Sequence, residues 1–500
     1  MSALTLAGMI FACMLVLMAL RVPIAVSMFA AGVFGYLYQV GLSPFLNNLN
    51  GLAYARFASY DLSVIPLFIL MGNFATQGGL SKALFQFASV IMAGFRGGLA
   101  MAAVMASAAF GAICGSSIAT AVNFLVTIVA MRAPGMTLFR MPLLCWANLA
   151  TSALVVAATP FVAGAMFMAM FDREMGTHFF TTEGGGTALA YQHIFWFYSH
   201  PAVYIMVLPG FGIISEVIAT HARKPVFGYR AVAFSSAGIA VLGFSVWAHH
   251  MFASGMQSWL RVPIMLATLL IAVPTGIKIF SWVGTLWGGV VRLTTANLFA
   301  IGFIVAFVIG GLSGVMLASV PFDLSITNSY FIVAHFHYVL FGGSVLTVFA
   351  GFYHWFPKVT GRMYDEKLGK WHFWITFIAL NGTFFPMHYQ GLEGMPRRVA
   401  DYAPQFGWSN TVITISAFIL GASTLIFVYN MIHSARHGKP AGDNPWGSLT
   451  LEWMVSSPPP TFNFDTTPRV VGGPYRYGED GVKHAVFPDE QPVETERVGA

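Results

Sequence analysis

Charge is what this sequence lacks most. Asp, Glu, Lys and Arg make up 9% of its 500 residues, against 57% hydrophobic ones. Water-soluble chains carry about 25% charged residues, so a soluble globular domain is excluded. Cysteine is scarce as well: Cys13, Cys114 and Cys145 stand far apart with no Cys-x-x-Cys. That excludes a zinc knuckle, an iron–sulfur cluster and a thiolate-held copper pair. The net charge of +6 is no nucleic-acid signal, because the basic residues sit in short loops, where they set membrane orientation. The N-terminus is apolar from the start, lacks a cleavable leader pattern and reads as a first span. What abounds is one apolar stretch after another, which calls for an all-α, polytopic membrane helical bundle of about 11 to 12 spans. A loosely ordered C-terminal tail follows it.

Residues 4–40 form one apolar segment interrupted by Arg21-Val22-Pro23; proline and the residue before it disfavour continuous helix. A polar patch covers 47–61, and 62–79 contains Pro66, Gly72 and Asn73. In the nearly uncharged run 97–130, Gly111, Gly115, Ser116 and Ser117 sit mid-membrane. Such residues either let helices pack closely or mark a broken helix whose free backbone groups hold ions. Further spans are read at 143–171, 190–219, 231–252, 262–289, 296–319, 329–356, 371–390 and 410–432. If these alternate, Arg132, Arg140, Arg223, Lys224, Arg292, Lys358 to Lys370, Arg436 and Lys439 share one side, the inside by the lysine–arginine bias. Arg397 and Arg398 fall outside, which suggests a bound anion. After Ser434 the chain is polar and proline-rich, with Ser457-Pro458-Pro459-Pro460.

The chemistry concentrates in histidine. Val333-Ala334-His335-Phe336-His337-Tyr338 lies inside an apolar run. Positions i and i+2 of a helix point about 200° apart, so His335 and His337 serve opposite faces. They cannot share a metal, but each can take an axial site on a different haem. The plainer alternative is two histidines bonding neighbouring helices. Upstream, His200 and Tyr204 share a helical face at i and i+4, beside Trp196, and Trp247-Ala248-His249-His250 ends the next span. Three imidazoles from two segments suit copper, although any one alone could be a satisfied core residue. Lys278, after Pro274-Thr275-Gly276-Ile277, is an intramembrane lysine and so a functional candidate, unless it snorkels to the inner surface.

Two resemblances follow from these residues. Arg21-Val22-Pro23-Ile24-Ala25, Ile65 to Gly72, Arg96-Gly97-Gly98-Leu99-Ala100 and Gly111 to Ser117 resemble the start of the large permease subunit of a tripartite ATP-independent periplasmic (TRAP) transporter, which makes residues 1–121 a foreign segment of an apparent chimera. From about 122, through Met131 to Met136 and on to about 470, the chain resembles subunit I of the haem–copper oxidases, with 122–435 as its core and 436–500 as a polar cytoplasmic tail. That likeness implies copper B on His200, His249 and His250. It implies the high-spin haem on His335 and one axial ligand of a low-spin haem on His337. Tyr204 would be the tyrosine joined to His200, and Lys278, Thr275 and Ser215 a proton path. Arg397, Arg398 and Asp323 would lie at haem propionates.

The resemblance further implies reduction of dioxygen with electrons from cytochrome c, coupled to proton translocation. It implies a dicopper subunit II and a subunit III as partners, and a place as a multi-pass protein of the bacterial inner (plasma) membrane. Departures stand out. Ala202 replaces a glutamate, which makes Tyr198, in Tyr198-Ser199, the proton-relay candidate. Thr327-Asn328 replaces a histidine–aspartate pair, which puts the magnesium site in doubt. No histidine precedes His178, and Asp61 is the only acid in residues 1–120, so His337 has no identifiable axial partner. The competing readings are a TRAP-type organic-acid transporter fragment and an inactive fusion.

Overall fold

The computed structural model describes residues 3–46, 117–460 and 463–488, apart from 21, 23 and 480. The polar patch 47–61 and the motifs at 65–72, 96–100 and 111–116 lie outside the described residues. The chain divides into two units, Met1–Leu80 and Ser81–Ala500. In the first, the apolar segment breaks where proline predicts, giving α1 (Ala3–Ala19) and α2 (Ile24–Val40). The Val22 amide donates to the Leu17 carbonyl at the bend, 3.0 Å. Ile10 lies so close to Gly35 that a Cβ there would sit 2.3 Å from it, the close approach that small residues permit.

The second unit runs α3 (Ser117–Ala130), α4 (Leu143–Met175), α5 (Ala188–Ala222), α6 (Tyr229–Gly243), α7 (Ser258–Leu270), α8 (Ala272–Leu286), α9 (Thr295–Ala318), α10 (Val320–Ile326), α11 (Tyr330–Leu340), α12 (Leu346–Thr360), α13 (Glu366–Leu392) and α14 (Gly407–His437). Among the described residues, six helical stretches are long and apolar enough to cross a membrane. Lipid tails are as apolar as leucine, so packing rather than escape from water joins such helices. Phe211 of α5 meets Trp282 of α8 and Phe307 of α9 edge-on, at centroid distances of 5.4 and 5.1 Å. Helix ends are capped by sequence: the Asp365 carboxylate accepts from the Lys367 and Leu368 amides at 2.8 and 3.0 Å.

Two expectations are corrected and a third is refined. The span expected at 231–252 stops at Gly243, and its histidines sit in a 3₁₀ turn, Trp247–Met251. The long helix expected around His335 is present as one stretch, Tyr330–Thr360, with a π-helical turn, Phe341–Val345, between α11 and α12. Gly342 and Gly343 lie there because a Cβ would come within 2.9 Å of Ala306 and 3.1 Å of Val207. The tail is not loose up to residue 488. Trp446, Trp453, Tyr475 and Tyr477 are buried, and the pair β1 (Arg469–Val470) and β2 (Ala485–Val486) is tied to the Pro134 carbonyl through the Val470 amide, 2.8 Å. Gly135, at φ +79°, touches Val470 so closely that a Cβ would lie 2.2 Å from its carbonyl oxygen. Composition misled because the tail's carbonyls satisfy cations of the bundle. Lys358 Nζ donates to the Asp443 and Val455 carbonyls at 2.9 and 2.7 Å. Arg223 donates to those of Trp446 and Gly447 at 3.2 and 2.6 Å.

Candidate metal centre

His200 projects from α5 one residue before Pro201, and His249 and His250 from the 3₁₀ turn after α6. Their ligand atoms all lie within 4.8 Å of one another. His200 Nδ1 is 3.2 Å from His250 Nε2, which is 3.2 Å from His249 Nε2. Two nitrogens about 2.0 Å from a common ion and 3.2 Å apart subtend about 106° at it, a normal ligand angle. Three imidazole nitrogens and no carboxylate favour copper or zinc over magnesium or calcium. The residues present therefore fit a copper ion.

The surroundings fix which nitrogen each ring offers. The Thr268 hydroxyl donates to the Ile264 carbonyl, 2.6 Å, and so accepts from His249 Nδ1, 3.1 Å away. His249 is thereby held with its Nε2 lone pair inward, the orientation a second partner imposes on a ligand. Trp196 stacks flat on His250, 3.8 Å between centroids at 9°. Tyr204 meets His200 edge-on at 4.7 Å, and His200 Nε2, turned away from the cluster, is buried with no hydrogen bond. Thr268 was missed in the sequence, where a threonine on an apolar helix carries no signal.

On α11 the two histidines face apart as the helical period predicts. His335 turns to α9: Nδ1 donates to the Gly310 carbonyl at 3.0 Å, with the Ser313 hydroxyl also 3.0 Å away. A Cβ on Gly314 would lie 2.9 Å from His335 Cε1, so glycine there leaves the ring its place. α11, which carries His335, packs against α5, which carries His200. His337 turns to α13 and stacks on Phe384 at 4.2 Å and 14°, its Nδ1 donating to its own helix at Val333, 2.7 Å. In both rings Nδ1 carries the proton and Nε2 keeps the lone pair that iron would take.

The expected proton path is only partly assembled. Lys278 is 2% exposed, so it does not snorkel; its Nζ donates to the Ser236 hydroxyl at 2.7 Å and the Val232 carbonyl at 3.1 Å. Thr275 closes on its own helix at the Ile271 carbonyl, 3.0 Å, rather than on Lys278. Ser215 accepts from Trp282 Nε1 at 3.0 Å and donates to the Phe211 carbonyl at 2.8 Å. Tyr198 is half-buried on α5, a turn before Ala202. A residue missed from the sequence lies beside Ser215: the buried Glu216 carboxylate accepts from the Leu144 amide, 3.2 Å, and from the Tyr475 phenol. Its signal was an acid at the inner end of an apolar span.

At the outer end, Arg397 Nη2 donates to Asn328 Oδ1 at 3.0 Å, and its Nε is buried without a partner. Arg398 is exposed, in a left-handed backbone at φ +64°. Asp323 is buried on α10, and burial pushes its carboxyl up to about 6. An orphaned guanidinium N–H beside this site is a ready donor for a carboxylate. The same cation, bonded to Asn328, opposes a magnesium ion at Thr327-Asn328.

The family described as cytochrome c and quinol oxidase polypeptide I matches residues 8–419. The match starts inside the segment with transporter-like motifs. A cytochrome c oxidase subunit 1 from Synechocystis sp. is 57% identical over 380 residues, covering 76% of this chain and 68% of that protein. One from Thermostichus vulcanus is 56% identical over 363 residues, covering 73% and 66%, and a probable subunit 1-beta from Nocardia farcinica is 52% identical, covering 70% and 60%. The chain thus spans about two thirds of its relatives' length. Among solved structures, a heme-copper terminal oxidase dimer shares the fold with a TM-score of 0.53 at 19% identity, covering 60% of this chain and 57% of that one.

Proposed function

The chain belongs to the cytochrome c and quinol oxidase polypeptide I family, and from that premise we propose that it is the catalytic subunit of a terminal oxidase. It reduces one dioxygen to two waters with four electrons and four protons. One observation carries the reading: nitrogens of His200, His249 and His250 converge at 3.2 Å contacts beside His335. A haem held by His335 and a copper ion held by the triad would supply the redox chemistry for cleaving the O–O bond. The chain's own residues do the rest. Thr268 and Trp196 hold His249 and His250 in place. Tyr204, against His200, is placed to give a proton and an electron, and the orphaned His200 Nε2 is the atom to which its ring would be joined. Arg397 and Arg398 take haem carboxylates, with Asp323 alongside.

Lys278 is the inner proton donor, passing protons by way of Ser236 rather than Thr275, with Ser215 on the neighbouring helix. Tyr198 serves as the relay in place of a glutamate. Electrons come from cytochrome c through a dicopper subunit, and subunits II and III are the partners within a bacterial plasma membrane, where the cycle also moves protons. The proposed domains are 1–121, 122–435 and 436–500. The family match from residue 8 weighs against a transporter origin for the first of these, whose motifs remain a resemblance. Copper and iron analysis of the purified chain, with oxygen uptake from reduced cytochrome c, tests this. Copper with haem is expected; a preparation holding neither, or one binding carboxylates with sodium, would sink it.

A further inference from the structure

We propose that these 500 residues hold one haem, on His335, and that the second haem site at His337 is half a site. The inference rests on the oxidase reading and deepens it. Six-coordinate low-spin iron needs a strong donor on each face of the macrocycle. His337 itself is ready, with Nδ1 committed to Val333 and Nε2 free. Nothing answers it. Its ring neighbours among the described residues are Phe336 and Phe384, at 4.4 and 4.2 Å. The chain has fourteen histidines and none before His178, so residues 1–177 supply no imidazole wherever they lie.

Several of the other histidines already face one another. His200, His249 and His250 face one another. His221 and His354 pair at 3.3 Å. Of the two histidines on α13, which packs against α11, His372 meets the Tyr353 hydroxyl at 3.1 Å, and His388 lies a turn beyond Phe384. It is wedged between Phe331 and Tyr338, at 5.1 and 5.6 Å, side chains of α11 itself. A haem held between His337 and His388 would have to part helices that already touch through Phe384 and Tyr338. The contrast with His335 is chemical: that ring needs only one protein ligand, since the opposite face of its iron belongs to oxygen.

The full chain, purified from its own membrane, decides the matter by its haem-to-copper ratio and its magnetic circular dichroism. One haem per copper is expected, without a six-coordinate low-spin signal, and His337→Ala should leave the ratio unchanged while His335→Ala removes the haem. Two haems per copper, or a low-spin signal of any ligation, overturns the inference. That result needs no variant to fold. Haem and copper both missing would sink the oxidase reading and this inference with it.

Discussion

The two faces of α11 carry the same side chain and differ in everything around it. His335 is gripped from a second helix by a carbonyl and a hydroxyl, and a glycine clears its ring. His337 is tied only to its own helix and leans on a phenylalanine. An imidazole becomes a cofactor site through what surrounds it, and α11 shows one face where that was built and one where it was not.

Substitutions can break or sharpen this contrast. The largest effect is expected at the triad: His200→Asn should abolish copper binding and lower oxygen reduction by more than about 100-fold, beyond the loss expected from a supporting residue. His337→Ala should change neither; equal losses from both would erase the difference between the faces. Next is Lys278→Met, expected to slow turnover about 10- to 100-fold. Denaturation should show no matching loss of stability, because an ammonium without a counter-ion is costly to bury. A large fall in melting temperature would make Lys278 structural. Third, Gly314→Ala pushes a methyl to 2.9 Å from His335 and should lower haem content severalfold, whereas Phe384→Leu, on the other face, should not; pyridine haemochrome measures both.

Two smaller effects lie outside α11. Thr268→Val removes the acceptor that orients His249 and should weaken copper retention about 10-fold against a chelator; unchanged retention would mean the 3₁₀ turn alone suffices. Tyr475→Phe strips a phenol from Glu216 and should cost about 1 to 3 kcal/mol by thermal unfolding. Burial and the neighbouring carboxyl hold that phenol well above its ordinary range, so it stays a donor across the working pH. No change would mean that the tail's other contacts, among them those of Arg223, Lys358 and Val470, hold it without this phenol.

Much of the centre was legible because its information is local. The spacing of His335 and His337 fixes their opposite faces through helix geometry, and the i, i+4 spacing fixes Tyr204 against His200. Pro23 marked the break between α1 and α2. What stayed hidden depends on partners far away in sequence. Ser236 captures Lys278 from another helix, a partner that spacing along the helix of Lys278 cannot show. The tail reads as disordered by composition, yet half-buried Arg223 and buried Lys358 draw its carbonyls onto the bundle. The 3₁₀ turn at Trp247 was masked because Gly243 ends α6 within a run still apolar enough to continue it.

That turn sets how the ion site can change. Two of its three nitrogens hang on consecutive residues of one short coil, while the third belongs to a rod that carries Pro201 and Pro209. A shift of the coil therefore carries a pair of ligands together, opening the site by a single motion instead of releasing them one at a time. Loss of the metal should accordingly be abrupt, governed by the stretch from Gly243 to Gly255 rather than by any one bond to the ion.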